Sequence, residues 1–410
     1  MADIRPFRAL RPIKEKAAGF AALPYDVYSR SEAKAEVKKN PGSFLAIDRA
    51  ETSFDDSVDT YADCVYEKAA ELLGKRIEAG DLIREKKPCF YIYELTMDGR
   101  VQTGIVGCAS IEDYEKGIIK KHENTRADKE QDRIRHVDTL SAQTGPIFLA
   151  YRQKPALKEL TDRVKQGEAL YDITSSDGIR HRAFIIDSEA DMAVISREFS
   201  DMPLYIADGH HRCASAVRVG QQRRAANPAH TGDEEYNYFL SVIFPDEELM
   251  IMDYNRLVLD LNGMTADVLR DKISEFYELD LHGKAAYKPT EKGEAGMFLD
   301  GSWWRLKLKD KFKNSDPVKG LDVYILQDRV LGPILGIEDP RTDKRIEFIG
   351  GIRGLKELSD RAAAAGGVAF AMYPTSIAEL FAVADAGELM PPKSTWFEPK
   401  LRSGFFIHEI

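Results

Sequence analysis

The apolar and polar positions divide the chain into short segments of two periodicities. In residues 57–79, SVDTYADCVYEKAAELLGKRIEA, Tyr61, Val65, Ala69, Leu72 and Leu73 fall on one face at helical spacing, which predicts an amphipathic helix. CFYIYELTM (89–97) and VQTGIVGCASI (101–111) read as strands, and Asp98-Gly99 between them predicts a tight hairpin. Further strands are predicted at GPIFLAY (145–151), HRAFIIDS (181–188), MPLYIA (202–207) and NYFLSVIFP (237–245). Helices are predicted over 31–39, where Pro41-Gly42 stops the pattern, and over 155–167. Thr125 with Asp128 has the spacing of a capping box, so a helix is expected to begin at Thr125. Beyond residue 250 the pattern predicts helices near 265–276, 319–331, 355–365 and 375–385, with strands near 296–308 and 367–372.

This alternation implies a mixed α/β (α+β) body. An N-terminal α/β region over 1–255 is expected to precede a C-terminal mixed α/β region over 256–410. No internal repeat, low-complexity tract or flexible linker separates the two.

With 410 residues there is enough chain for two or three cores. Lys and Arg number 58 against 68 Asp and Glu, a net charge of −10, which speaks against a general nucleic-acid or anionic-membrane binder. The longest apolar stretch, Ala362 to Tyr373, is shorter than the roughly 18 residues of a membrane span and contains two glycines. The opening MADIRPFRALRP has no apolar core of a secretory signal. Cys64, Cys89, Cys108 and Cys213 lie far apart, with no CxxC, so reduced thiols in a cytoplasmic protein are the simplest reading.

The densest chemistry lies in YIADGHHRCASAVRVG (205–220), where a predicted strand becomes a predicted helix. Gly209 permits a tight turn, and the backbone N–H groups after it sit at a helix N-terminus that favours phosphate. Arg212 can hold phosphate oxygens in a bidentate fork, His210 and His211 can donate to them, and Asp208 can orient a histidine or hold Mg²⁺. An isolated Asp-Gly turn would be a polar cap with solvated imidazoles. Five such residues in a row favour an anion cradle. His210, His211 and Cys213 are crowded as zinc donors, but adjacent histidines on one turn rarely converge on one ion.

A second cluster holds His122, Glu123, Thr125, Arg126, Lys129 and Arg133. Arg126, Lys129 and Arg133 form a basic helical stripe, with Ala127, Ile134 and Val137 available for the buried side. By itself the stripe is best read as a solvated face neutralised by Asp128, Glu130 and Asp132. Glu123, a carboxylate on a loop beside cations, is where a general base could sit. LPYDV (23–27) and MPPKSTWFEPK (390–400) are Pro-fixed loops with Asp26, Lys393 and Lys400 as polar candidates. GxxxxGK[ST], GxGxxG and kinase HRD signatures are absent, and His122-Glu123 fails as HExxH because Arg126 stands where the second histidine would be.

PYDV, HENT with its charged helix, ADGHHR and MPPKSTWFEPK, in that order, resemble the bacterial and archaeal family DUF1015 over essentially the whole chain. More narrowly, YIADGHHRCASAVRVG is similar to the phosphate motif of the ParB/sulfiredoxin superfamily, in which free-serine kinases carry a very similar DGHHR. The resemblance implies a ParB/sulfiredoxin-like nucleotide-binding core at about 180–245 with additional mixed α/β elements. It also implies nucleotide binding by residues 208–212 and phosphoryl transfer to a small hydroxylated metabolite such as L-serine.

The expectation is therefore an ATP- or ADP-dependent kinase with Mg²⁺, converting free L-serine to O-phosphoserine and able to run in reverse. Gly209, His210, His211 and Arg212 would hold the phosphates, and Asp208 would place Mg²⁺ or orient a histidine. Glu123, a functional assignment and not a matched position, would accept the hydroxyl proton. Arg126 or Lys129 would steady the transferred phosphoryl group or the serine carboxylate. A homo-oligomer is compatible with the sequence; a nucleic-acid or membrane partner is not expected. The alternative is a nucleotide-binding regulatory module without turnover. A metal-dependent phosphatase would need a carboxylate cluster, which the sequence does not display.

Overall fold

The computed structural model describes residues 2–125 and 127–410. Arg126, one of the expected cationic residues, lies outside them. The chain is mixed α/β and forms two compact units. One takes in residues through Leu249 together with Pro399–Ile410; the other is Met250–Glu398. The sequence pattern puts a linear division at 255/256; here the units part at Leu249/Met250, and the last twelve residues belong to the first.

The first unit is built on a nine-stranded mixed sheet. Its order is Ile119–Lys120, Leu204–Asp208, Ile147–Tyr151, Tyr238–Pro245, Arg100–Ser110, Phe90–Met97, Arg180–Ile186 and Tyr171–Thr174, with Ile4–Arg5 paired to Arg100–Ser110. The predicted hairpin forms with Met97 opposite Arg100. Asp98 (φ 52°) and Gly99 (φ 78°) both take the left-handed conformation that a two-residue type I′ turn requires.

One side of this sheet packs Ile92, Ile105, Leu149, Ile206 and Ile243 with Leu157, Leu160, Ile195, Phe199, Cys213 and Ala216. A second core joins Phe20, Phe44, Ile47, Val65, Ala69, Leu73 and Leu140 to Ile407 of the returning tail. The helix predicted over 57–79 begins later, at Asp63. Ahead of it, Asp55 accepts from the Ser57 N–H and Asp59 from the Tyr61 N–H, so side chains take the backbone donors and hold turns. Tyr61 therefore stays exposed instead of joining the buried face. Ala127 is likewise exposed, while Ile134 is buried.

The tail 399–410 is a buried strap. Ser403 bridges Ala22, Ile407 bridges Leu10, and His408–Glu409 pairs with Ala142–Gln143. Phe405 stacks on Tyr93 at 5.2 Å, and Arg402 donates to Ser175 Oγ at 3.0 Å.

The second unit is a six-stranded antiparallel sheet carrying the helix Gly354–Ala365, whose Leu358 and Ala362 pack on Leu257, Ile349 and Trp303. The helix expected near 319–331 is Asp322–Leu326 followed by a π-helical turn, Gln327–Leu331. All four cysteines are free thiols. Among the described residues no helix is long and apolar enough to cross a membrane.

Candidate functional site

The strand Leu204–Asp208 is buried through Ala207. Its pairing with Ile147–Tyr151 shifts register between Ile206 and Asp208, leaving Ala207 as the extra residue of a bulge. The shift re-aims the strand end at Asp208. Gly209 follows at φ 92° and ψ 31°, and the helix His210–Ala226 starts directly after it with no side chain capping its first turn. A Cβ on Gly209 would stand 2.9 Å from Arg212 Nη2, so glycine is needed both for the backbone conformation and for the guanidinium that folds over it.

Asp208 is engaged at both oxygens. Oδ2 accepts from Lys400 Nζ at 3.0 Å, and Oδ1 accepts the Gly209 N–H at 2.9 Å. Burial alone would raise this carboxyl's pKa. The charges of Lys400 and Arg212 outweigh burial and hold it well below the usual carboxylate range. Magnesium prefers an octahedral set of oxygens and retains its waters. A carboxylate already paired with an ammonium beside a guanidinium does not match that preference, so the residues around Asp208 do not fit the expected Mg²⁺ site.

His122 and His210 meet edge to face, with ring centroids 4.5 Å apart and an interplanar angle of 90°. They are 2 % and 6 % exposed. Nε2 of His210 has no hydrogen-bond partner, and the His122 nitrogens have none of normal geometry, with the Ile206 backbone approaching the ring loosely. Glu123, half-buried, joins them: one donor atom from each of the three residues lies within 4.8 Å of the others. Burial pushes His122 down to about 4 and His210 well below its ordinary value, so both rings are neutral at pH 7. The loop and the turn, distant in sequence, thus form one cluster.

Arg212 leads away from that cluster. Its Nη1 donates to the Pro146 carbonyl at 2.5 Å, and its side chain lines a cavity of about 30 Å³ with Tyr25, Asp48, Arg133, His136 and Ser403. Tyr25, Asp48, Arg133 and His136 also wall a larger cavity of about 340 Å³, which Asp26, Arg30, Tyr61 and Lys129 line as well. Asp208, His210 and Glu123 line neither of these two cavities.

Arg133 is the centre of the wall. It is buried, stacks 3.9 Å over the Tyr25 ring, and pairs with Asp132 at 3.0 Å and Asp48 at 4.0 Å. Burial would lower its pKa, but Asp132, Tyr25 and Asp48 raise it, so the charge is retained. Asp132 in turn accepts from Tyr66 OH at 2.8 Å. Arg49 fixes the PYDV turn by donating to the carbonyls of Tyr25 at 2.9 Å and Tyr28 at 2.6 Å. Lys129 lies at the cavity edge, with Nζ 3.3 Å from Tyr61 OH.

The basic stripe is therefore not a uniformly solvated face: Arg133 is interior and Lys129 lines the cavity. The sequence pattern points to no role for Arg133 or Tyr25 and marks Lys400 only as a polar candidate. PYDV and the closing Pro-Lys segment were visible as motifs, yet the contacts they make join positions far apart in the chain.

The family described as "Protein of unknown function (DUF1015)" matches residues 4–324. No curated protein matches the chain. Among solved structures, SbnI with C-terminal truncation from Staphylococcus aureus is similar at 11% identity and TM-score 0.37, covering 72% of this chain and 82% of that one. A free serine kinase in complex with AMP is similar at 14% identity and TM-score 0.35, covering 72% and 86%. A conserved hypothetical protein from Pyrococcus furiosus is similar at 15% identity and TM-score 0.34, covering 73% and 93%. Likenesses this distant assign nothing to individual residues.

Proposed function

The chain belongs to the DUF1015 family, whose description assigns no activity, and from its site we propose that it is a nucleotide-dependent phosphotransferase acting on a small hydroxylated metabolite. ATP or ADP is the donor and free L-serine the acceptor, giving O-phosphoserine. The observation that carries this reading is the meeting of Glu123 with His210 at the head of an uncapped 17-residue helix whose Arg212 reaches a charged cavity.

Phosphoryl transfer asks a protein mainly for positioning and charge neutralisation. The first-turn N–H groups after Gly209, with His211 and Arg212, hold the nucleotide phosphates. His210, neutral, offers a hydrogen bond to a phosphate oxygen. Lys400 adds positive charge at the strand end, and Asp208 fixes its position. The serine hydroxyl oxygen forms the new bond to the terminal phosphorus, the bond from that phosphorus to the bridging oxygen breaks, and Glu123 takes the hydroxyl proton. ADP or AMP leaves. Lys129 or Arg126 steadies the transferred group or the serine carboxylate. The reverse direction uses the same groups.

The reaction needs no nucleic acid or membrane, and suits a reduced cytoplasm in which the four thiols stay free.

The test is to incubate the full-length protein with ATP or ADP and a panel of amino acids and sugars, and to identify phosphorylated products by mass spectrometry. Phosphoserine formation supports the proposal. Nucleotide binding with no phosphorylated acceptor would replace it with a regulatory module.

A further inference from the structure

We propose that His122, Glu123 and His210 form a binding site for a divalent transition-metal ion of the zinc class. This inference stands apart from the phosphotransferase reading, since it concerns what the cluster binds and not what the protein transfers.

Two imidazoles lie inside the protein: Nε2 of His210 meets no partner, and the ring nitrogens of His122 have no hydrogen bond of normal geometry, only a loose approach of the Ile206 backbone. Buried polar atoms are normally satisfied, and those left over call for an explanation such as an ion. Solvated surface histidines would need none, but these two are 2 % and 6 % exposed. Their neighbour in space is a carboxylate, and the three donor atoms lie within 4.8 Å of one another. Donors bound at about 2.0–2.2 Å in a tetrahedron stand about 3.4 Å apart, so small side-chain rotations bring the three onto one ion.

The donor set selects the metal. Two nitrogens and one oxygen suit Zn²⁺, Co²⁺ or Ni²⁺, whereas Mg²⁺ and Ca²⁺ ask for oxygen shells. Three protein ligands leave one tetrahedral position open, the pattern of sites that take water or a ligand atom. The local arrangement explains why the cluster escapes sequence inspection. His122-Glu123 and His210 come from a loop and a helix start, joined because Ile119–Lys120 pairs in parallel with Leu204–Asp208 at the sheet edge.

The ion has a consequence for Glu123. Coordination to a dication lowers the basicity of a carboxylate, so a bound ion of this class would slow any reaction in which Glu123 is the base.

The test uses chelator-treated full-length protein on a Cys64→Ser background, which removes the exposed thiol as a competing donor. Calorimetric titration with ZnCl₂ and visible absorption with CoCl₂ are read together. The proposal expects one equivalent of Zn²⁺ and a Co²⁺ spectrum of low-symmetry coordination. Glu123→Gln and His122→Gln should each weaken binding at least about tenfold. Glu123 is half-buried, so Glu123→Gln decides the matter if the histidine variant does not fold. Substoichiometric binding, or unchanged affinity in folded Glu123→Gln, would overturn the proposal. Neither readout depends on activity, so a failed kinase assay leaves it standing and a failed titration leaves the kinase reading standing.

Discussion

Lys400 holds Asp208 by an ion pair of 3.0 Å across 192 residues of chain, joining the C-terminal strap to the strand end that opens the site. The contact ties the strap to the strand that runs into Gly209. Lys400→Met should remove a charged hydrogen bond from a partly shielded carboxylate, at a cost of about 1–3 kcal/mol. Urea unfolding of Lys400→Met, Asp208→Asn and the double variant forms the cycle that isolates the pair. Additive losses would show that the two do not interact.

The strap carries core area too. Phe405 is fully buried against Tyr93 and Tyr171, with centroid distances of 5.2 and 4.8 Å. Phe405→Ala should therefore destabilise the first unit by roughly 3–5 kcal/mol, the usual loss for a deleted core aromatic. A drop in unfolding midpoint with unchanged secondary structure at low temperature is the expected result.

Gly209→Ala is expected to damage the site locally. At φ 92° an L-residue costs roughly 1–2 kcal/mol, and the new methyl would meet the Arg212 guanidinium at 2.9 Å. Nucleotide affinity should fall at least as far as in Arg212→Ala while the far-ultraviolet spectrum is unchanged. Calorimetric titration with ADP checks it.

Acid should weaken the fold before carboxylates titrate. Burial lowers His122 and His136 to about 4 and His181 to about 3, and drives His210 well below its ordinary value. In the unfolded chain these rings protonate near 6.5, so between about pH 6.5 and 4 the unfolded state binds more protons. Stability is then fully present above 6.5 and is lost as pH falls, at about 1.4 kcal/mol per pH unit for each ring. Urea midpoints measured from pH 7.5 to 5 should show a slope approaching four protons at the acid end. A flat profile would contradict the burial of neutral rings.

Much of this architecture is readable from the residues. Asp98-Gly99 specifies its hairpin turn locally, and Gly209 with the apolar run before it specifies the strand-to-helix turn. The start of the Asp63–Glu78 helix is less legible, because Asp55 and Asp59 capture backbone donors and override the apolar spacing around Tyr61. Least legible are the contacts that depend on tertiary closure. Arg133 looks like a member of a solvated stripe until Asp48, Asp132 and Tyr25 surround it. Lys400 follows the second unit in sequence yet belongs to the first, a return that no composition change marks.

The central claim is that Glu123 is a base and Arg212 a phosphate anchor in one phosphotransfer site. The direct measurement is phosphoserine formation by wild type, Glu123→Gln and Arg212→Ala, with nucleotide affinity determined on the same samples by calorimetry. Glu123→Gln should keep its nucleotide affinity and lose roughly 10²–10⁴-fold in turnover. Arg212→Ala should lose about 2–3 kcal/mol of nucleotide binding. Wild-type turnover retained in Glu123→Gln would contradict the assigned base, and wild type that binds nucleotide yet forms no phosphoserine would contradict serine phosphorylation itself.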